Sequence, residues 1–263
     1  MITYSDLKKT FPEEKKSIES IYGRIIPVRK ISYFVTIPLL YLKCSAFAAS
    51  VLSIFIAVAA CVCLSLPNPI CRIVGVALVP VWHLFDCVDG NIARYTKTAS
   101  PLGSVVDAIS GYYCFAFLPV ALGIAAFNVG DNYLAIPAEL FLIAGGLASV
   151  SNLLARLIYQ KYANGILLYE AKNHIEKTNS SPKKMSQLQT LLAVNLGPLG
   201  LPMFALWLSP VFNLYHLLAV YYCAYYLASL VFFTAVFLKK CRNFEGGGHQ
   251  YSRLTSSERR CAA

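Results

Sequence analysis

Residues 69–107 read PICRIVGVALVPVWHLFDCVDGNIARYTKTASPLGSVVD, and this stretch decides the fold. It starts as an apolar run and then sets Asp86, Asp89 and Asp107 among Val, Leu, Ile and Phe. A charged side chain at mid-membrane costs about 2.5–3.5 kcal/mol on insertion scales, so such residues mark function. Asp86 and Asp89 stand at i and i+3, on one helical face about one turn apart. His83 and Gly90 share that side. A second apolar run starts near Pro101; Asp107 follows Gly103 by four residues, and Gly111 continues their face. The turn between the two runs is short, which predicts antiparallel neighbours with all three acids at one depth, just inside the cytoplasmic boundary.

The rest of the chain supports a lipid setting. Of 263 residues, 57% are hydrophobic and 14% charged, against about 25% charged in soluble domains. The mean hydropathy is +0.57. Six apolar spans are expected, at 45–66, 69–93, 102–128, 134–159, 188–208 and 211–238. Each reaches the ~20 residues that cross a hydrocarbon core. Pro67-Asn68-Pro69, Ser100-Pro101, Gly130-Asp131-Asn132 and Ser209-Pro210 punctuate them. The expected class is an all-α integral membrane protein with six transmembrane helices and an N-terminal cytoplasmic interfacial helix. Residues 1–43 form an amphipathic interfacial segment, 44–240 the membrane domain, and 241–263 a flexible polar tail. Residues 1–30 show no signal-peptide pattern.

Charge orients these spans. Eight Lys/Arg precede the first span, six lie between Arg156 and Lys184, and six follow the last span. The intervening ends are poor in them. Basic and non-basic ends alternate, so both termini are expected in the cytoplasm, with a bacterial inner membrane as the setting. The net charge of +10 therefore reflects topology. No basic stripe interleaved with aromatics points to nucleic acid. The nine cysteines sit mostly in apolar runs without zinc-type spacing, as small hydrophobes.

Three clustered carboxylates repel one another unless a cation or protons neutralise them. Carboxylates on facing helices suit hard ions such as Mg²⁺ or Mn²⁺, which complete their shell with substrate phosphates. Gly90 and Gly103 leave room beside the acids, and Arg94 stands one turn beyond Gly90 to meet a phosphate. The competing reading is a proton relay or a buried carboxylate–Arg network, as in a transporter.

Residues 86–107 resemble the signature of the CDP-alcohol phosphatidyltransferase family, D-x2-D-G-x2-A-R-x8-G-x3-D-x3-D. Asp86, Asp89, Gly90, Ala93, Arg94, Gly103 and Asp107 match in place. The resemblance implies that a substituted phosphate passes from a CDP-alcohol donor to an acceptor hydroxyl (of a lipid, a polyol phosphate or a glycan) with release of CMP. It implies two divalent metals held by Asp86, Asp89 and Asp107, a nucleotide floor of Gly90, Ala93 and Gly103, and a homodimer among membrane lipids. The chain departs from the pattern twice. Gly111 stands where the fourth aspartate, the usual general base, is expected. Ser50 is the one stand-in for a Thr of the first span that contacts the nucleotide. A catalytically silent homologue is thus a second reading.

His83, one turn before Asp86, is a candidate base, since an imidazole pKa near 6.5 suits proton abstraction at neutral pH. Arg156 and Lys161 are candidates for binding an anionic acceptor, with snorkelling to the interface as the alternative. Asn152 lies at i−4 from Arg156. Glu139 reads as interfacial. The tyrosines of the last span (Tyr215, Tyr221, Tyr222, Tyr225 and Tyr226) read as packing, and Asn195, Gly197, Pro198 and Gly200 as a kink.

Overall fold

A computed structural model of the chain describes residues 2–11, 20–130, 134–172 and 194–245. The described residues are helical, with no strand among them. Three short helices come first: α1 (Tyr4–Lys9), α2 (Ile21–Ile25) and α3 (Val28–Tyr41). Six follow: α4 (Ala46–Ser65), α5 (Pro69–Tyr95), α6 (Pro101–Val129), α7 (Ala138–Lys172), α8 (Pro202–Phe212) and α9 (Tyr215–Glu245). Of these, α4, α5, α6, α7 and α9 are long and apolar enough to cross a membrane; α8 is a shorter apolar helix.

The starts of the first three long helices are written locally. Ser45, Asn68 and Ser100 accept a backbone N–H of the first turn through their side chains. Pro69 and Pro101 then occupy the opening turn, where a missing N–H costs nothing. The later boundaries differ from expectation. Helix α7 continues well past 159, because nothing after Tyr159 breaks it before Lys172. The fifth expected span, 188–208, falls partly outside the described residues, and its described part is broken. Asn195 O accepts the Leu201 N–H at 2.8 Å, so the chain turns there and α8 starts only at Pro202. Pro210 lies inside α8, and the break before α9 falls at Asn213, in the left-handed region at φ 54°. The tail beyond 245 lies outside the described residues.

Close packing rests on small residues. A Cβ on Gly75 would stand 2.5 Å from Leu64 N and 2.8 Å from Ala60 O, so α5 and α4 touch backbone to backbone. Gly123 of α6 and Gly145 of α7 make a second such crossing. Small residues permit this approach, and in lipid dispersion at such crossings drives association. Helix α4 packs against both α5 and α6, while those two touch each other sparsely. The two acid-bearing helices therefore meet through side chains, as where Trp82 Nε1 lies 2.9 Å from Ser110 Oγ, rather than backbone to backbone. They are bridged through α4.

The N-terminal helices hold to this frame by polar contacts. Asn91 of α5 donates to Ser32 Oγ (2.8 Å) and Thr36 Oγ1 (3.3 Å) of α3. Ile21 N donates to Asn195 Oδ1 at 2.7 Å. Tyr22, fully buried, sets its ring against Phe204 and Trp207 of α8.

Candidate active site

A cavity of ≈ 450 Å³ opens between α5, α6, α7 and α9. Asp86 and Asp107 line it together with Gly111, Tyr112 and Arg156. Trp82, Phe115, Tyr159, Tyr225 and Tyr226 complete much of its wall, and Gly197, Pro198 and Leu199 meet it from the break before α8. Asp107 is exposed and Asp86 half-buried. Asp89 is 3% exposed, is not part of the cavity lining, and accepts a hydrogen bond from Ser50 Oγ at 2.5 Å. The fields of the three carboxylates nevertheless reach one another.

The nucleotide candidates are arranged unevenly. The face of Gly90 is covered by the chain's own Arg94, whose Nη1 would lie 2.9 Å from a Cβ there. Arg94 Nη2 donates to Asn91 Oδ1 at 2.8 Å, its Nε is buried without a hydrogen-bond partner, and its guanidinium lies 5.4 Å from the Phe11 ring centroid. The Gly103 N–H donates to Ser100 Oγ at 3.0 Å, so this glycine serves the start of α6. Ala93 is half-buried.

The other candidates separate in space. His83 is not part of the cavity lining; its ring stacks on Tyr22 at 6.4 Å, and its Nδ1 is buried without a hydrogen-bond partner. Lys161 is exposed and outside the cavity. Arg156 is buried in the wall. Its Nε donates to Asn152 Oδ1 at 3.0 Å, and Asn152 Nδ2 in turn donates to Phe115 O at 2.8 Å. The Arg156 guanidinium sits 5.1 Å from the Tyr112 ring centroid and 5.2 Å from that of Phe115. Glu139 is exposed in the first turn of α7. Sequence reasoning missed Tyr112, Tyr225 and Tyr226 as cavity residues. In an apolar helix the lipid-facing and inward-facing aromatics look alike.

The donors present fit a hard divalent cation in kind. They are carboxylates, and among the described residues neither thiol nor imidazole lines the cavity. Among the described residues no group of three His, Cys, Asp or Glu is placed to hold an ion by itself. An ion held here by one or two carboxylates would take its remaining ligands from water and substrate phosphates, as Mg²⁺ commonly does.

The model of the CDP-alcohol phosphatidyltransferase family matches residues 43–215, from just before α4 to the start of α9. The chain belongs to the CDP-alcohol phosphatidyltransferase family. No individual curated protein matches it. Membership implies a CDP-alcohol donor, a hydroxyl acceptor, a lipid environment and transfer of a phosphate–alcohol group from the donor. The family is generally divalent-metal dependent.

Within this phosphatidyltransferase, Gly111 is informative. A glycine inside a helix costs about 0.5–1 kcal/mol relative to alanine. A Cβ at 111 would meet only the Phe115 ring, at 3.8 Å, an ordinary contact. Packing does not require glycine there; its absent side chain enlarges the cavity beside Asp107. Gly111→Ala is therefore expected to raise thermal stability by about 0.5–1 kcal/mol, read as an upward melting shift of the detergent-solubilised protein. A melting point several degrees below wild type would refute this account of the position.

Proposed function

We propose that the chain transfers a substituted phosphate from a CDP-alcohol to an acceptor hydroxyl, releasing CMP, at the cytoplasmic face of its membrane in phospholipid or lipid-linked glycan synthesis. The observation that carries the reading is the shared cavity: Asp86 and Asp107 at one side, a buried arginine, Arg156, in the wall. Asp86, Asp89 and Asp107 would hold Mg²⁺ or Mn²⁺. The bound ions would neutralise charge on the donor diphosphate.

The chain's own residues would do the remaining work. Arg94, with an unpartnered Nε and a guanidinium that can swing from above Gly90, is assigned to the donor diphosphate. Gly90, Ala93 and Gly103 are assigned to the nucleotide floor. Arg156, held by Asn152, is assigned to an anionic substrate group inside the cavity; Lys161 would act only on approach from the exposed face. The acceptor oxygen forms a bond to the β-phosphorus as the bond from that phosphorus to the bridging oxygen breaks, and CMP takes the electron pair. The acceptor proton goes to a cavity carboxylate or to the acceptor's own phosphate. His83 faces Tyr22, and the reading gives it no proton to move. The aromatic wall excludes water from the transfer.

Residues 44–240 would form the membrane domain, flanked by the interfacial segment 1–43 and the tail 241–263, with a second copy completing a homodimer. Gly111 favours one further reading, a homologue that binds nucleotide without turnover. Purified protein with Mn²⁺ should bind CDP, and with a panel of CDP-alcohols and acceptors should release CMP. Binding without CMP release across a broad panel would support the silent reading. Failure to bind CDP would sink both and favour a transporter.

A further inference from the structure

The buried polar groups around Asp89 form a circuit that the transfer chemistry above does not use. Trp82 Nε1 lies 2.9 Å from Ser110 Oγ. Ser110 Oγ lies 2.7 Å from Ser53 Oγ. Ser53 Oγ donates to Ser50 O at 2.7 Å, and Ser50 Oγ to Asp89 Oδ2 at 2.5 Å. The five residues are 0–4% exposed: Ser53 and Ser110 0%, Trp82 1%, Asp89 3% and Ser50 4%.

The direction of every bond follows from the groups. An indole N–H only donates, so Ser110 accepts from Trp82. A carbonyl only accepts, so the single proton of Ser53 is spent on Ser50 O. In the Ser53–Ser110 contact Ser110 must then be the donor. Ser50 has acceptors at Ala46 O (3.2 Å) and Asp89 Oδ2 (2.5 Å). The shorter contact lies in the range of an O–H···O⁻ bond, which is the stronger kind. The circuit leaves α5 at Trp82, crosses α6 at Ser110 and α4 at Ser53 and Ser50, and returns to α5 at Asp89. Trp82 and Asp89 are seven residues apart, about two turns of one helix. Three helices are thereby locked in register around one carboxylate, and each donor has a defined target.

We infer that Ser50, Ser53, Ser110 and Trp82 are positioning residues that hold the Asp89 carboxylate in one orientation and so set its metal affinity. The family pattern would put Ser50 on the nucleotide, but its hydroxyl is engaged by Asp89 and serves that carboxylate instead. The inference rests on the assignment of Asp89 to metal. Losing a hydrogen-bond partner behind a metal ligand typically weakens metal binding about 10- to 100-fold.

The test measures Mn²⁺ binding to the full-length, detergent-solubilised protein by the paramagnetic resonance signal of the free ion, without turnover. Ser50→Ala is expected to weaken Mn²⁺ binding about 10- to 100-fold, and Ser50→Thr, which keeps the hydroxyl, to restore most of it. Ser110→Ala, which breaks the circuit two links away, should weaken binding in the same direction by a smaller factor, and stands in if Ser50→Ala fails to fold. Asp89→Ala is the reference. If Asp89→Ala loses Mn²⁺ while both serine variants bind as wild type, the positioning role is overturned and the metal assignment stands. If Asp89→Ala itself binds as wild type, the metal assignment of Asp89 fails, and the positioning role with it.

Discussion

Asp107→Asn is expected to lower CMP release by about a thousandfold or more while the protein folds as well as before. Asn keeps the shape and one oxygen of Asp but loses the charge that would attract a divalent cation. Charge stabilisation of that kind is worth several kcal/mol in a transition state, and each 1.36 kcal/mol is about tenfold in rate. Stability should not fall with it. Clustered carboxylates repel one another wherever neither a cation nor protons neutralise them, so removing one charge relieves the other two. The melting temperature without metal should therefore stay close to that of wild type. Asp86, which shares the cavity wall, should respond to the same change in the same way. Turnover within about tenfold of wild type, once matched for folded protein, would remove Asp107 from the metal site. A loss of both activity and folding would show that the carboxylate is structural.

Gly145→Leu is expected to have the largest effect on folding, at a position outside the cavity lining. A Cβ at 145 would stand 2.6 Å from Pro119 O, 3.2 Å from Gly123 Cα and 3.2 Å from Val120 Cα. Those atoms are backbone of α6 and cannot swing aside. The two helices must separate along the crossing, and the contacts around buried Phe141 and Leu122 go with them. Overpacking of this kind costs about 1–3 kcal/mol and occasionally more, or about 2–4 °C in melting temperature per kcal/mol at this chain size. The adjacent glycine is the control. Nothing lies within 4 Å of a Cβ on Gly146, so Gly146→Ala should melt as wild type or slightly higher. Equal melting of Gly145→Leu and Gly146→Ala would refute the close crossing.

Much of this is legible in the sequence alone. The helix starts at Ala46, Pro69 and Pro101 are set by Ser45, Asn68 and Ser100 together with the prolines that follow two of them, all local chemistry. The acids are legible because charge in an apolar run is costly wherever it sits, and their spacing carries the family resemblance. The break before Pro202 was half legible. Gly197, Pro198 and Gly200 announce it, but the turn closed by Asn195 O on Leu201 N joins groups whose meeting depends on the folded chain. His83 shows the limit most clearly. Its i−3 spacing from Asp86 puts it on the acids' side of α5, yet Tyr22 from the N-terminal segment stands against it.

What the sequence determined by itself, then, is an all-helical membrane protein, its place in a family, and three acids confined to two helices. What only the tertiary structure decided is which apolar face of each helix looks inward. That choice bridges α5 and α6 through α4, folds Arg94 over Gly90, turns Tyr225 and Tyr226 into the cavity wall, and gives Asp89 its bond to Ser50. The reason is physical. In water the buried face of a helix declares itself by being apolar, but in lipid both faces are apolar. Rotation is then set by small residues that let backbones meet, such as Gly75 and Gly145, and by polar groups that must find one another across helices.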